Sequence, residues 1–96
     1  YESTNHMKAI WNGATLIESD DTTLVEGNRY FPIDLIQQSH FLPSQTTTIC
    51  PWKGVASYFH VVVGDRKNLD AAWTYKNPKT GAEAVAGRIA FWKGVE

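Results

Sequence analysis

Ninety-six residues make one domain of about 13 Å radius, large enough to bury roughly two-thirds of its unfolded surface in a modest core. A net charge of −1 argues against a dedicated nucleic-acid binder, which normally needs a basic face to release counterions, and no apolar run reaches the roughly 20 residues of a membrane span. The apolar fraction of 43% and the twelve aromatic residues fit a globular fold, while a single cysteine excludes an intramolecular disulfide and makes a reducing cytoplasm the expected compartment.

Residues 1–6 are polar and patternless. They read as a cloning remnant, because His6-Met7 is what a common cloning site encodes, and no secretory leader is expected. A single domain is then expected over residues 7–96, with His40 and His60 as its natural histidines. Lys8-Ala9-Ile10-Trp11 alternates like a strand, and Asn12-Gly13 is a strong hairpin signal, since both residues tolerate the positive φ of a type I′ turn. The return strand is residues 14–18, Ser19-Asp20-Asp21 turns, and residues 22–25 form a third strand. Glu26-Gly27-Asn28 turns again into Arg29-Tyr30-Phe31, so a β-meander is predicted over residues 7–31.

Pro32 suits the first position of a helix, and Ile33, Ile36 and His40 share one helical face. One or two helical turns are predicted across residues 32–39, ended by Pro43, with a polar loop over residues 44–47. Residues 55–63 are the longest β-branched and aromatic run and predict a strand. Gly64-Asp65-Arg66-Lys67 reads as a four-residue turn, which sets Val63 opposite Asn68, Tyr58 opposite Trp73 and Ala56 opposite Tyr75. One face of that hairpin would carry Ala56, Tyr58, Val62, Leu69, Ala71, Trp73 and Tyr75, and the other Ser57, Phe59, Val61, Asp70 and Thr74. Residues 77–81 are turn chemistry, residues 82–86 a short run of helix formers, and residues 89–92 a closing strand. The predicted fold class is mainly β: a small antiparallel barrel or two-layer fold with one or two short helices.

Chemistry concentrates in residues 46–63, where cysteine, proline, tryptophan, lysine and glycine follow one another at positions 50–54. Cys50 is a candidate nucleophile, because a turn at Pro51-Trp52 could bring the Lys53 ammonium near the sulfur; the alternative is a buried cysteine acting as a small hydrophobe. Lys53 could hold a phosphate or carboxylate, form a Schiff base if desolvated, or be a plain turn lysine. His60 lacks a triad partner at motif spacing, no metal-ligand spacing appears, and Asp20-Asp21 reads as a turn pair whose side chains point apart. Glu26 is the better acid or anchor. Trp-Lys-Gly-Val occurs at residues 52–55 and 92–95, with Trp-Asn-Gly-Ala at 11–14, and these read as strand-end aromatics before turns. The aromatics are core and cross-strand pairs or, for a subset, the wall of a pocket for a flat ligand.

Several segments together resemble a known family: MKAIWNG at residues 7–13, LIESD at 16–20, VEGNRYFP at 25–32, TICPWKGVASY at 48–58, DAAWTY at 70–75, Pro78, and GRIAFW at 87–92. The chain is similar to the bacterial and cyanobacterial family called domain of unknown function 427, sometimes labelled a nucleotidyltransferase. The resemblance implies a small, mainly antiparallel β, cytoplasmic protein without an established activity. It also implies that Glu26, Gly27, Tyr30, Phe31, Pro32, Cys50, Pro51, Lys53, Gly54, Tyr58, Trp73 and Tyr75 are signature positions, and that Trp52 serves as an aromatic rather than as an indole. The Gly-Ser element and spaced Asp-x-Asp pair usual in nucleotidyl transfer, where two metals clamp an in-line displacement, are not present.

Two functions stay open. In the first, Trp52, Tyr58, Trp73 and Tyr75, with Glu26 and Tyr30, line a pocket for a small anionic or aromatic ligand, and Lys53 anchors an anionic group. In the second, a small enzyme uses Cys50 or Lys53 covalently with Glu26 or His60 handling a proton. No residue pattern names a cofactor. The expected partner is a small molecule, not nucleic acid or membrane, and homodimer formation is expected from small size and abundant aromatics.

Overall fold

The computed structural model describes residues 7–36 and 38–96; the reading of residues 1–6 as a cloning remnant lies outside them, as does position 37 of the expected helical stretch. Strands β1 (Met7–Trp11) and β2 (Ala14–Ser19) form a two-stranded antiparallel sheet. Strands β3 (Thr23–Val25), β4 (Asn28–Pro32), β5 (Phe41–Cys50), β6 (Gly54–Val63), β7 (Arg66–Tyr75) and β8 (Arg88–Phe91) form a second sheet in the order β3-β4-β8-β7-β6-β5. The class is mainly β, and its two layers are open: β3 and β5 end the larger sheet, so the barrel among the expected architectures is not formed.

The β1–β2 hairpin turns at Asn12 and Gly13, with φ of +52° and +79°, the sign pattern of a type I′ turn. The expected meander is interrupted after it. Ser19 Oγ accepts the Asp21 N–H at 2.9 Å, and the Arg88 guanidinium holds the Asp21 backbone oxygen at 3.0 Å and its carboxylate at 2.9 Å. This bent corner moves the chain to the other sheet, so β2 and β3 do not pair.

The predicted helix across residues 32–39 resolves into two 3₁₀ turns, Ile33–Leu35 and Gln38–His40. Pro32 instead ends β4 in extended geometry, and Ile36 is extended too. The Ile33 N–H donates to the Gly87 carbonyl at 2.9 Å, which ties the start of this stretch to the segment just before β8. Pro43 lies within β5, an edge strand where a missing N–H is tolerated. The loop expected at residues 44–47 is an irregularity in that strand, between the pairs Pro43↔Phe59 and Thr47↔Ser57. A third 3₁₀ turn, Glu83–Val85, falls within the short run of helix formers.

The β6–β7 hairpin differs from expectation near its turn and agrees farther along. Val63 pairs with Arg66, leaving a two-residue loop, yet Tyr58 pairs with Trp73 and Ala56 with Tyr75 as expected. Two extra residues of β7 between the pairs Val61↔Asn68 and Phe59↔Ala72 make up the difference. Asp70 lies in that bulge at φ +55°. The bulge also removes Leu69 from the predicted apolar face, leaving it 55% exposed, and places Ala71 in the opposite cluster.

Both faces of the larger sheet carry cores, because neighbouring residues along β4 and β8 point to opposite sides. Phe31, Val61, Ala72 and Ile89 pack with Phe41 against Ala9, Leu16 and Ile17 of the smaller sheet. Tyr30, Ala56, Trp73, Tyr75 and Ala90 pack on the other side with Ala82 and Val85. Among the described residues, no helix is long and apolar enough to cross a membrane.

Candidate functional site

Two hairpin loops meet on the second of these faces. In the first, Cys50 pairs with Gly54, so Pro51, Trp52 and Lys53 form a three-residue loop. Gly54 has φ +116°, and a Cβ there would lie 3.4 Å from the Asn77 carbonyl oxygen; glycine meets both demands. The segment around residue 79 clamps this loop: the Lys79 N–H donates to the Lys53 carbonyl and the Lys79 Nζ to the Pro51 carbonyl, both at 2.9 Å. The backbone so held turns the Lys53 side chain inward until it is only 6% exposed.

The second loop, Glu26-Gly27, joins Val25 to Asn28, with φ of +53° and +82°. Glutamate is an unusual choice for a left-handed position that Asn, Asp and Gly prefer. Its side chain explains it. One carboxylate oxygen accepts from Lys53 Nζ, and the other accepts from Trp52 Nε1 at 3.1 Å, so Trp52 acts here through its indole N–H and not, as expected, only as an aromatic ring. The ammonium also lies 5.1 Å from the Trp52 ring centroid and 5.5 Å from that of Tyr75, within cation–π range.

These contacts settle the charges. Burial pushes the Lys53 ammonium toward deprotonation, but the hydrogen bond to Glu26, with smaller help from Tyr30, Tyr75 and Cys50, outweighs it and raises the pKa. The hydrogen bonds from Lys53 and then Trp52 hold the Glu26 carboxyl below its ordinary range. Burial pushes the Tyr75 hydroxyl up. Lys53 is therefore a charged donor, the opposite of the desolvated, neutral amine that Schiff-base chemistry needs.

Beside Lys53 lies a concavity of about 260 Å³, lined by Asn28, Tyr30, Lys53, Tyr58, Trp73, Tyr75 and Trp92. The paired row Tyr58–Trp73–Ala90 crosses three strands, and the small Ala90 side chain sits beside the large indole. Trp73 is fixed on several sides. Its Nε1 donates to Tyr30 Oη at 3.2 Å, and the rings of Tyr30 and Trp92 meet it edge-on at 6.3 and 6.0 Å. Tyr58 tilts against it at 6.4 Å, its hydroxyl hydrogen-bonded to Thr48 Oγ1 at 3.1 Å. Trp92 Nε1 donates to the Asp70 carbonyl at 2.6 Å, so the β7 bulge seats one wall. Other concavities of 270, 300 and 360 Å³ open among the described residues, and none is lined by a buried charged side chain.

Of the residues singled out from sequence, Tyr30, Lys53, Tyr58, Trp73 and Tyr75 come together in one concavity. Glu26 and Trp52 sit behind Lys53 as its partners and do not line it. Cys50 is half-buried, packed against the same aromatic cluster but outside the lining. His60 is elsewhere: its Nδ1 accepts the Asp70 N–H at 3.1 Å. Among the described residues, no three His, Cys, Asp or Glu side chains gather closely enough to hold a metal ion. Asn28 and Trp92 were not anticipated. Trp92 did carry a signal, since its Trp-Lys-Gly-Val context repeats that of Trp52, and Lys93 Nζ lies 5.2 Å over its ring much as Lys53 does over Trp52.

A comparison with curated proteins returned no match. The family model described as a domain of unknown function, DUF427, matches residues 1–96. The chain therefore belongs to the DUF427 family, as the motifs around Glu26, Lys53 and Trp73 led us to expect.

Proposed function

We propose that this domain is a small-molecule-binding module whose ligand occupies the concavity beside Lys53. What supports the reading above all is the buried, charged Lys53 side chain at a cavity otherwise walled by Tyr30, Tyr58, Trp73, Tyr75 and Trp92. Ligand sites characteristically combine apolar and aromatic walls with a few placed polar groups. Here the walls supply contact area, and Lys53 supplies the polar anchor. A lone, half-buried free cysteine suits a reducing cytoplasm, and that compartment is part of the proposal.

The covalent alternative is the weaker one. The Lys53 ammonium is paired with Glu26 and offers no nucleophilic lone pair while it donates to that carboxylate, and Cys50 does not line the cavity. The nucleotidyl-transfer label finds no Asp-x-Asp pair in the sequence to act on.

Thermal-shift screening against a panel of small metabolites, with Lys53→Met as the control, tests the binding reading. Stabilisation that the substitution abolishes is expected. Stabilisation left unchanged by it would remove the anchoring role.

A further inference from the structure

We infer that the ligand class is a single-ring aromatic carboxylate, and that Glu26 acts as an internal competitor for its anionic end. The inference rests on the binding proposal above. Among the described residues no carboxylate lines the concavity, and its one charged group is a donor, the Lys53 ammonium, set among the Asn28 amide and tyrosine hydroxyls that can donate or accept. Lys53 Nζ has N–H groups beyond the one given to Glu26, and Tyr30 Oη, already accepting from Trp73 Nε1, has its own proton to give. The indole N–H groups of Trp73 and Trp92 are engaged. A ligand that only accepts hydrogen bonds and carries negative charge matches this set. A cation does not, because the Lys53 ammonium already lies over the Tyr75 face and would repel it.

The apolar part of the ligand follows from the walls. Tyr58 and Trp92 both meet Trp73, one tilted and one edge-on, and the three rings line a volume of about 260 Å³. That space suits one ring, and a flat ring gains offset or edge contacts that an aliphatic ring of equal size does not.

Glu26 follows from geometry. The ligand's carboxylate would meet the same ammonium that Glu26 holds, and Glu26 is half-exposed on a loop with a left-handed residue. Part of the Lys53 field is thus screened until an anion shares or replaces that contact.

Isothermal titration with benzoate, cyclohexanecarboxylate and benzamide, on the parent chain and on Glu26→Gln and Lys53→Met, tests this. Benzoate should bind at least about tenfold more tightly than benzamide, a factor within reach of one charged contact near a protein surface, and several-fold more tightly than cyclohexanecarboxylate, which keeps the charge and loses only the aromatic ring contacts. Glu26→Gln should tighten benzoate several-fold, and Lys53→Met should abolish it. If Lys53→Met does not fold, Glu26→Gln decides alone. Benzamide binding as well as benzoate would overturn the anion class while leaving the pocket reading intact. Cyclohexanecarboxylate matching benzoate would overturn the planar requirement. Weaker benzoate binding to folded Glu26→Gln would overturn the competitor role. Absence of benzoate binding overturns the ligand class, and it reaches the pocket reading only if the metabolite panel also fails to stabilise the protein through Lys53.

Discussion

Lys53 and Glu26, twenty-seven positions apart, tie the tip of one hairpin to the turn of another, and the lysine is the buried partner while the carboxylate is half in water. This asymmetry makes the two single substitutions unequal. Lys53→Met leaves an anion that water can solvate, whereas Glu26→Ala leaves a buried ammonium without its carboxylate, the costlier defect. Lys53→Met is expected to lower Tm by about 4–8 °C, the equivalent of roughly 1 kcal/mol in a domain this size, and Glu26→Ala by more. Thermal unfolding of both variants checks the order, and the reverse order contradicts it.

The inward turn of Lys53 depends on Gly54. At φ +116°, with the Asn77 carbonyl 3.4 Å from any Cβ, Gly54→Ala should cost about 1–3 kcal/mol. Hydrogen exchange gives a local readout: the Lys79 amide, bonded to the Lys53 carbonyl, should lose protection before amides of the β1–β2 sheet. Equal loss throughout would mean that the loop is not the site of strain.

Much of the fold was legible because it is local. Asn12-Gly13 specifies its own hairpin, and the β-branched run before Gly64 specifies a strand. The pairing of Tyr58 with Trp73 was also found, although the turn assigned to it was two residues too long. The error cancelled because the β7 bulge holds the same two residues, and a bulge fixed by tertiary hydrogen bonds leaves no periodicity to read. Five residues of the candidate lining, Tyr30, Lys53, Tyr58, Trp73 and Tyr75, were legible as residue types. The geometry of the site was not: nothing near Glu26 in sequence says that its carboxylate reaches Lys53 and Trp52, or that Trp92 completes a wall through the Asp70 carbonyl. Long-range pairing of this kind is decided by how the strands are ordered.

That bulge is itself a testable part of the site. Asp70 accepts from Ser44 Oγ at 2.6 Å and Thr46 Oγ1 at 2.9 Å, and its backbone has φ +55°. Asparagine tolerates that conformation and a β-branched residue does not. Asp70→Asn should stay within about 1 kcal/mol of the parent, and Asp70→Val should lose about 2–3 kcal/mol. The indole N–H resonance of Trp92 should move in the second variant, and equal stability of the two would contradict the assigned strain.

The same contacts set the pH range of stability. The hydrogen bonds from Lys53 to Glu26 and from Ser44 to Asp70 lower those carboxyl groups from their ordinary 4.5 and 3.8, so their contribution is present above those values and is lost as pH falls below them. Lys53 is raised above 10.5 and Tyr75 above 10.0; their contribution is present below those values and is lost as pH rises through the folded pKa. Urea midpoints should form a plateau between about pH 5 and 10, falling on both sides. Glu26→Gln should flatten part of the acid limb and leave the Asp70 part. An unchanged acid limb would deny Glu26 its role.

The central claim, that the aromatic concavity beside Lys53 takes a small ligand, is tested most directly by following the four indole N–H resonances during titration with benzoate and with the metabolites that stabilise the protein. Trp73 and Trp92 line the concavity, Trp52 reports on Glu26, and Trp11 lies against the opposite core. The account predicts saturable shifts of Trp73 and Trp92, a smaller one of Trp52 and none of Trp11. Saturable binding that leaves Trp73 and Trp92 unmoved would contradict it.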